Sequence, residues 1–106
     1  MKQGDLVILA FPYANMAQSK WRPAVVLSNE RYNKHANVLL AGLYGNKQPF
    51  SVRIDNEGVQ HGKLRKESYI GLQNIFSADK TIVRASGDAL TARKLEEVIS
   101  ALKKCL

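Results

Sequence analysis

Lys20-Trp21-Arg22-Pro23 gathers two cations and an aromatic ring, the groups that bind phosphates and bases, in one place. Two cations and an indole follow a polar loop, Tyr13 to Lys20, and stand at the mouth of the apolar run Ala24-Val25-Val26-Leu27. Pro23 restricts Arg22 to extended geometry. A guanidinium held this way can grip a phosphate with two parallel hydrogen bonds, and an indole can stack on a base. The residues alone leave a second reading open, in which Trp21 packs on the protein body and Arg22 pairs with a carboxylate such as Asp5. Further cations are Lys47, beside the Gly45-Asn46 turn, Arg53, and the cluster Lys63, Arg65 and Lys66. Each is a candidate for a salt-sensitive phosphate contact; the alternative for each is a solvated face.

The net charge points the same way. Sixteen Lys and Arg against nine Asp and Glu give +7, which favours nucleic acid first, an acidic protein partner second and a membrane surface third. Metal chemistry has little to stand on. His35 and His61 lie far apart with no cysteine near either, so no zinc-site spacing occurs. His61 belongs to the class of side chains that titrate near neutrality, but a lone loop histidine is more often a bystander. Cys105 is the single cysteine, which excludes an intrachain disulfide and fits a reducing cytoplasm. No run approaches the ~18 apolar residues of a membrane helix, and the start lacks a signal-peptide pattern. The expectation is a cytoplasmic protein that needs no cofactor.

The elements that must position these groups read mainly as strands. The 106 residues make one domain, 1–106, with 45% apolar residues to build a core. Leu6 to Phe11 is apolar on both alternating sets, the mark of a strand covered on both faces. Ala24 to Leu27 is a second strand with Pro23 at its first position, and Val38 to Tyr44 a third. Phe50 to Ile54 alternates Phe50, Val52 and Ile54 against Ser51 and Arg53, as a half-buried strand does. Further strands are expected around Tyr69 to Leu72 and over Thr81 to Ala85, with turns at Asp55 to Gly58 and at Ser86-Gly87-Asp88. Leu95, Val98, Ile99, Leu102 and Leu106 fall at helical spacing behind Thr91, a good N-cap. About six strands and one C-terminal helix give an α+β, mainly β chain.

Gly4-Asp5-Leu6-Val7 with Phe11-Pro12-Tyr13, followed by Arg22-Pro23-Ala24-Val25-Val26-Leu27-Ser28, resembles the MazF/PemK family of toxin endoribonucleases. The likeness continues through Asn29, Tyr32-Asn33 and Val38-Leu39-Leu40-Ala41, and more loosely to the C-terminus. It implies an SH3-like small β-barrel with a C-terminal helix, and a homodimer. It implies metal-independent cleavage of single-stranded RNA by the ribose 2′-hydroxyl, and an acidic antitoxin peptide that covers the RNA groove. Arg22 matches the family's central arginine. The family's Thr or Ser after the third strand maps onto Tyr44, or with a shifted gap onto Gly42, and the loop Ala14 to Lys20 lacks the carboxylate some members carry. The resemblance thus assigns catalysis to Arg22 and Tyr44. Nucleic-acid binding falls to Gln18, Lys20, Trp21, Lys47, Arg53, Lys63 and Arg65. The alternative it leaves is a catalytically impaired relative that binds RNA, DNA or antitoxin without cutting.

Overall fold

The computed structural model describes residues 1–12 and 19–106, with side chains for residues 1–10 and 21–106. Six strands form one antiparallel sheet: β1 (Asp5–Pro12), β2 (Ser19–Val26), β3 (Asn37–Tyr44), β4 (Ser51–Ile54), β5 (Ser68–Asp79) and β6 (Val83–Ala89). Their order across the sheet is β4-β5-β3-β2-β1-β6. The end strands β4 and β6 do not pair directly. They are tied just beyond their ends by a bridge between Val59 and Leu90, by the Gln60 N–H on the Ala89 carbonyl and by the Thr91 N–H on the Gly58 carbonyl. The sheet therefore curls toward a barrel without a complete hydrogen-bonded closure. A single α-helix, α1 (Ala92–Lys103), follows β6. Among the described residues no helix is long and apolar enough to cross a membrane.

The double-sided apolar pattern of β1 is the key to this packing. Leu6 joins one buried cluster, with Val25, Leu27, Ala41, Leu43, Ile54, Ile70 and Val98 of α1. Val7 and Leu9 join a second, with Ala24, Val26, Val38, Leu40, Ala78 and Val83. Successive side chains point to opposite faces, so the central strands are buried on both.

Several expectations change. β2 begins at Ser19, so Pro23 lies inside the strand, opposite Ile8 of β1; pairing with β3 starts only at Ala24, and a residue without an N–H is accommodated there. β5 runs twelve residues, because a register shift against β3 between Ala41 and Leu43 lets one strand bend and continue. Ser86-Gly87 is a bulge inside β6, between the Leu6–Asp88 and Val7–Ala85 pairs. Finally, Phe50 is not in the core with Val52 and Ile54. It precedes β4 at φ 50° with 66% of its surface exposed. The helix is capped as expected, with Thr91 Oγ1 accepting from the Lys94 N–H at 3.1 Å. Leu106 lies beyond its end and is 94% exposed, so the apolar stripe stops at Leu102.

Candidate nucleic-acid interface

Arg22, inside β2, and Tyr44, the last residue of β3, lie on neighbouring strands. Ala24 of β2 pairs with Gly42 of β3, and one further pleat in each direction carries Arg22 and Tyr44 to the same face, just beyond the paired stretch. The ring of Tyr44 is fixed by what lies under it. It covers the backbone of Gly42, where a Cβ would sit 3.4 Å from the ring, and of Gly71, where a Cβ would sit 2.6 Å from Cε2. Gly71 thus makes the room that Tyr44 occupies. Across the sheet Tyr44 pairs with Tyr69, whose hydroxyl donates to Glu67 at 3.1 Å. Gly71→Ala pushes the Tyr44 ring aside. This makes Gly71→Ala a test of any reacting role for Tyr44: a displacement of about 1 Å at a reacting group costs up to about 100-fold in rate, whereas an unchanged rate with a slightly lower Tm would give the tyrosine no such role.

The other side chains of the same stretch face the opposite way. Trp21 and Pro23 join Ile8 and Leu43 as the floor of a groove of about 710 Å³, and Lys63, Leu64, Arg65 and Lys66 form its wall. The indole is 51% exposed, and the Arg84 guanidinium lies over it, 4.7 Å from the ring centroid. Pro23 and Arg84 both lie opposite Ile8, one on each side of β1, which brings Arg84 to the ring. Lys63 reaches toward the Gly87 bulge and Lys66 toward Gly45, next to Tyr44. The basic wall therefore runs from the β6 bulge to the turn after β3.

That wall is pinned by one buried carboxylate. Asp88 accepts from the backbone N–H groups of His61 and Lys63, both at 2.8 Å, and from its neighbour Ala89. Burial alone would raise its pKa, but these N–H donors outweigh it, with help from His61, and hold Asp88 below its ordinary value.

Of the binding candidates singled out in the sequence, Trp21, Lys63 and Arg65 line one groove. The sequence did not single out Arg84, which reaches the Trp21 ring, or Asp88, which lines the groove; both positions depend on the pairing of β6 with β1. Arg53 is elsewhere: its Nε lies 2.7 Å from Glu67, its Nη1 3.4 Å from Asp55, and all three are exposed. Glu67 takes Arg53's pKa still higher, and Arg53 first, then Tyr69, holds Glu67 below the usual carboxylate range. A phosphate would have to displace Glu67 to reach this guanidinium. Lys47 is exposed in the loop after β3. Lys20 lies in β2 opposite Phe11, outside the described side chains, and Gln18 lies outside the described residues. The alternative pairing of Arg22 with Asp5 does not fit: Arg22 is opposite Leu9, four residues along β1, or roughly 13 Å.

A family model for the PemK-like, MazF-like toxins of type II toxin–antitoxin systems matches residues 2–106. The chain belongs to the PemK/MazF toxin family. It is 29% identical over 106 residues to the endoribonuclease MazF of Staphylococcus saprophyticus subsp. saprophyticus, covering 96% of this chain and 88% of that one. The crystal structure of MazF (Form-I) from Deinococcus radiodurans matches with a TM-score of 0.72 at 26% identity, over 99% of this chain and 94% of the other. The MazE–MazF structure (Form-III) from the same organism matches with a TM-score of 0.76 at 24% identity, again over 99% and 94%. The curled six-stranded sheet with its C-terminal helix is thus the fold of these MazF structures. Within this PemK/MazF chain, the ring of Tyr44, the last residue of β3, is seated on Gly42 and Gly71.

Proposed function

We propose that this PemK/MazF family member is a toxin endoribonuclease that cuts single-stranded RNA without a metal ion. The observation that carries the reading is the β2–β3 register, which puts Arg22 and Tyr44 on one face two residues beyond the Ala24–Gly42 pair, while Trp21 and Pro23, facing the other way, line a cation-walled groove. In the reaction the ribose 2′-oxygen bonds to the neighbouring phosphorus while the bond to the 5′-oxygen breaks. The 2′-hydroxyl gives up a proton, the departing 5′-oxygen takes one, and a 2′,3′-cyclic phosphate remains. Arg22 supplies positive charge to the phosphoryl oxygens as charge builds there. The Tyr44 hydroxyl donates a hydrogen bond to the same phosphate, in the role held by Thr or Ser elsewhere in the family. Trp21, Lys63, Arg65, Lys66 and Arg84 track the flanking backbone and bases. The protein acts in the cytoplasm as a homodimer, and an acidic antitoxin peptide blocks the same basic surface.

The test is incubation of the pure protein with a long single-stranded RNA in excess chelator, followed by analysis of the fragment ends. Discrete fragments with cyclic-phosphate ends support the reading, and intact RNA removes it. Affinity for RNA should fall steeply with salt, because each phosphate contact releases counterions with a slope of about −0.7 per contact for single strands. Equal affinity at low and high salt would rule out a phosphate-tracking groove.

A second reading is favoured by one feature. Tyr44 is bulkier than the residue it replaces and its ring is seated on Gly42 and Gly71. A protein that binds RNA, DNA or antitoxin without cutting would give the same salt dependence and leave the RNA intact.

A further inference from the structure

We propose that Phe50 is a stacking platform for a nucleobase next to the Arg22–Tyr44 site. The inference rests on the RNA reading of this surface and extends it to a residue that nothing above assigns. Phe50 is the one non-glycine residue with positive φ among the described residues. Glycine adopts this backbone freely and a bulky side chain rarely does. The ring gains little from burial in exchange, since 66% of the residue's surface is exposed. Strained backbone combined with an exposed aromatic ring is a poor arrangement for stability, and such outliers gather where a ligand is held.

The backbone that carries the ring is held in place. The Phe50 carbonyl accepts from the Leu72 N–H at 2.9 Å. On either side, Ser51 Oγ donates to the Gln48 carbonyl at 2.6 Å and Gln48 Nε2 donates to the Asn46 carbonyl at 3.0 Å. Its position is next to the reacting face: Ser51 pairs with Gly71, and Gly71 carries the Tyr44 ring. The surrounding sequence suits a polyanion, because residues 31–54 contain no Asp or Glu and the loop itself contributes Lys47. An exposed aromatic ring on a fixed backbone, in a loop that also carries a lysine, offers a π-face to any unpaired base.

The test uses a short mixed-sequence single-stranded RNA, 2′-O-methylated to block cleavage and carrying 2-aminopurine at successive positions. Wild type is expected to quench the 2-aminopurine at one position on binding. Phe50→Gly is expected to lose that quench and to bind about 10-fold more weakly, with Tm unchanged or higher and the oligomeric state unaltered. Phe50→Trp is expected to keep both quench and affinity. Unchanged affinity and quench in Phe50→Gly would overturn the inference while leaving the RNA reading intact. Weaker binding that accompanies dissociation of subunits would overturn it in favour of a contact between copies. Absence of any binding by wild type would sink the RNA reading, and this inference with it.

Discussion

Arg22→Ala is expected to lower chelator-resistant RNA cleavage by about 100- to 1,000-fold, the usual cost of deleting one preorganised donor to a developing anion. The variant should fold normally, since Arg22 is only half-buried at the start of β2's inner segment and the core on either side comes from Leu9, Ala24 and Val26. Arg22→Lys should recover little of the loss, because an ammonium replaces the charge without the two-pronged hydrogen-bond geometry. Single-turnover cleavage of a defined RNA, with Tm recorded on the same samples, separates these effects. A rate for Arg22→Ala within a few-fold of wild type would show that another group supplies the phosphate charge.

Asp88→Ala is expected to destabilise the fold by about 2–4 kcal/mol, because it leaves N–H groups of His61, Lys63 and Ala89 without their shared acceptor. It also unpins the basic wall, so RNA affinity should fall even where the protein remains folded. The pH dependence has a definite sign. The folded-state pKa of Asp88 is held below its ordinary value of 3.8, so its stabilisation is fully present above that value. It is lost as the pH falls through the lower folded-state pKa. Glu67 and Asp79 are lowered as well and act in the same direction. The diagnostic quantity is therefore a difference: wild type should lose more stability than Asp88→Asn between pH 7 and the region below 3.8. Urea unfolding at both pH values measures it, and identical losses in the two proteins would assign the acid sensitivity to the other carboxylates.

Asp88 also marks where sequence reading reaches its limit. Its triplet with Ser86 and Gly87 reads as a turn, and a turn is what local chemistry alone can report. That the carboxylate reaches back to residues 61 and 63 depends on the bulge that lets β6 stay paired with β1. Arg84 is hidden for the same reason: alternation around Val83 places it outward, but only the β1 pairing puts its guanidinium on Trp21. By contrast, β1 declares itself through apolar residues on both faces, and α1 through its stripe and its Thr91 cap. Arg22 was legible as a candidate through its motif, and Tyr44 only through the family resemblance, with Gly42 as its alternative. Their common face was not, because it requires the β2–β3 register. The split between Arg22 and Trp21 follows from strand alternation once Pro23 is known to lie within β2. Phe50 fitted an alternating pattern equally well as a buried residue, and its positive φ overrides that pattern in a way no neighbouring residue signals.

The account turns on the ribose 2′-hydroxyl as the nucleophile, with the charge on phosphorus met by side chains of this protein. Once a cut site has been mapped, one oligonucleotide tests this most directly: the same sequence with 2′-deoxyribose at the single position before the scissile phosphate, incubated with the protein in excess chelator. The account predicts that the all-ribose strand is cut there to a cyclic phosphate and that the substituted strand is bound but left whole. Cleavage of the substituted strand at that phosphate would contradict it.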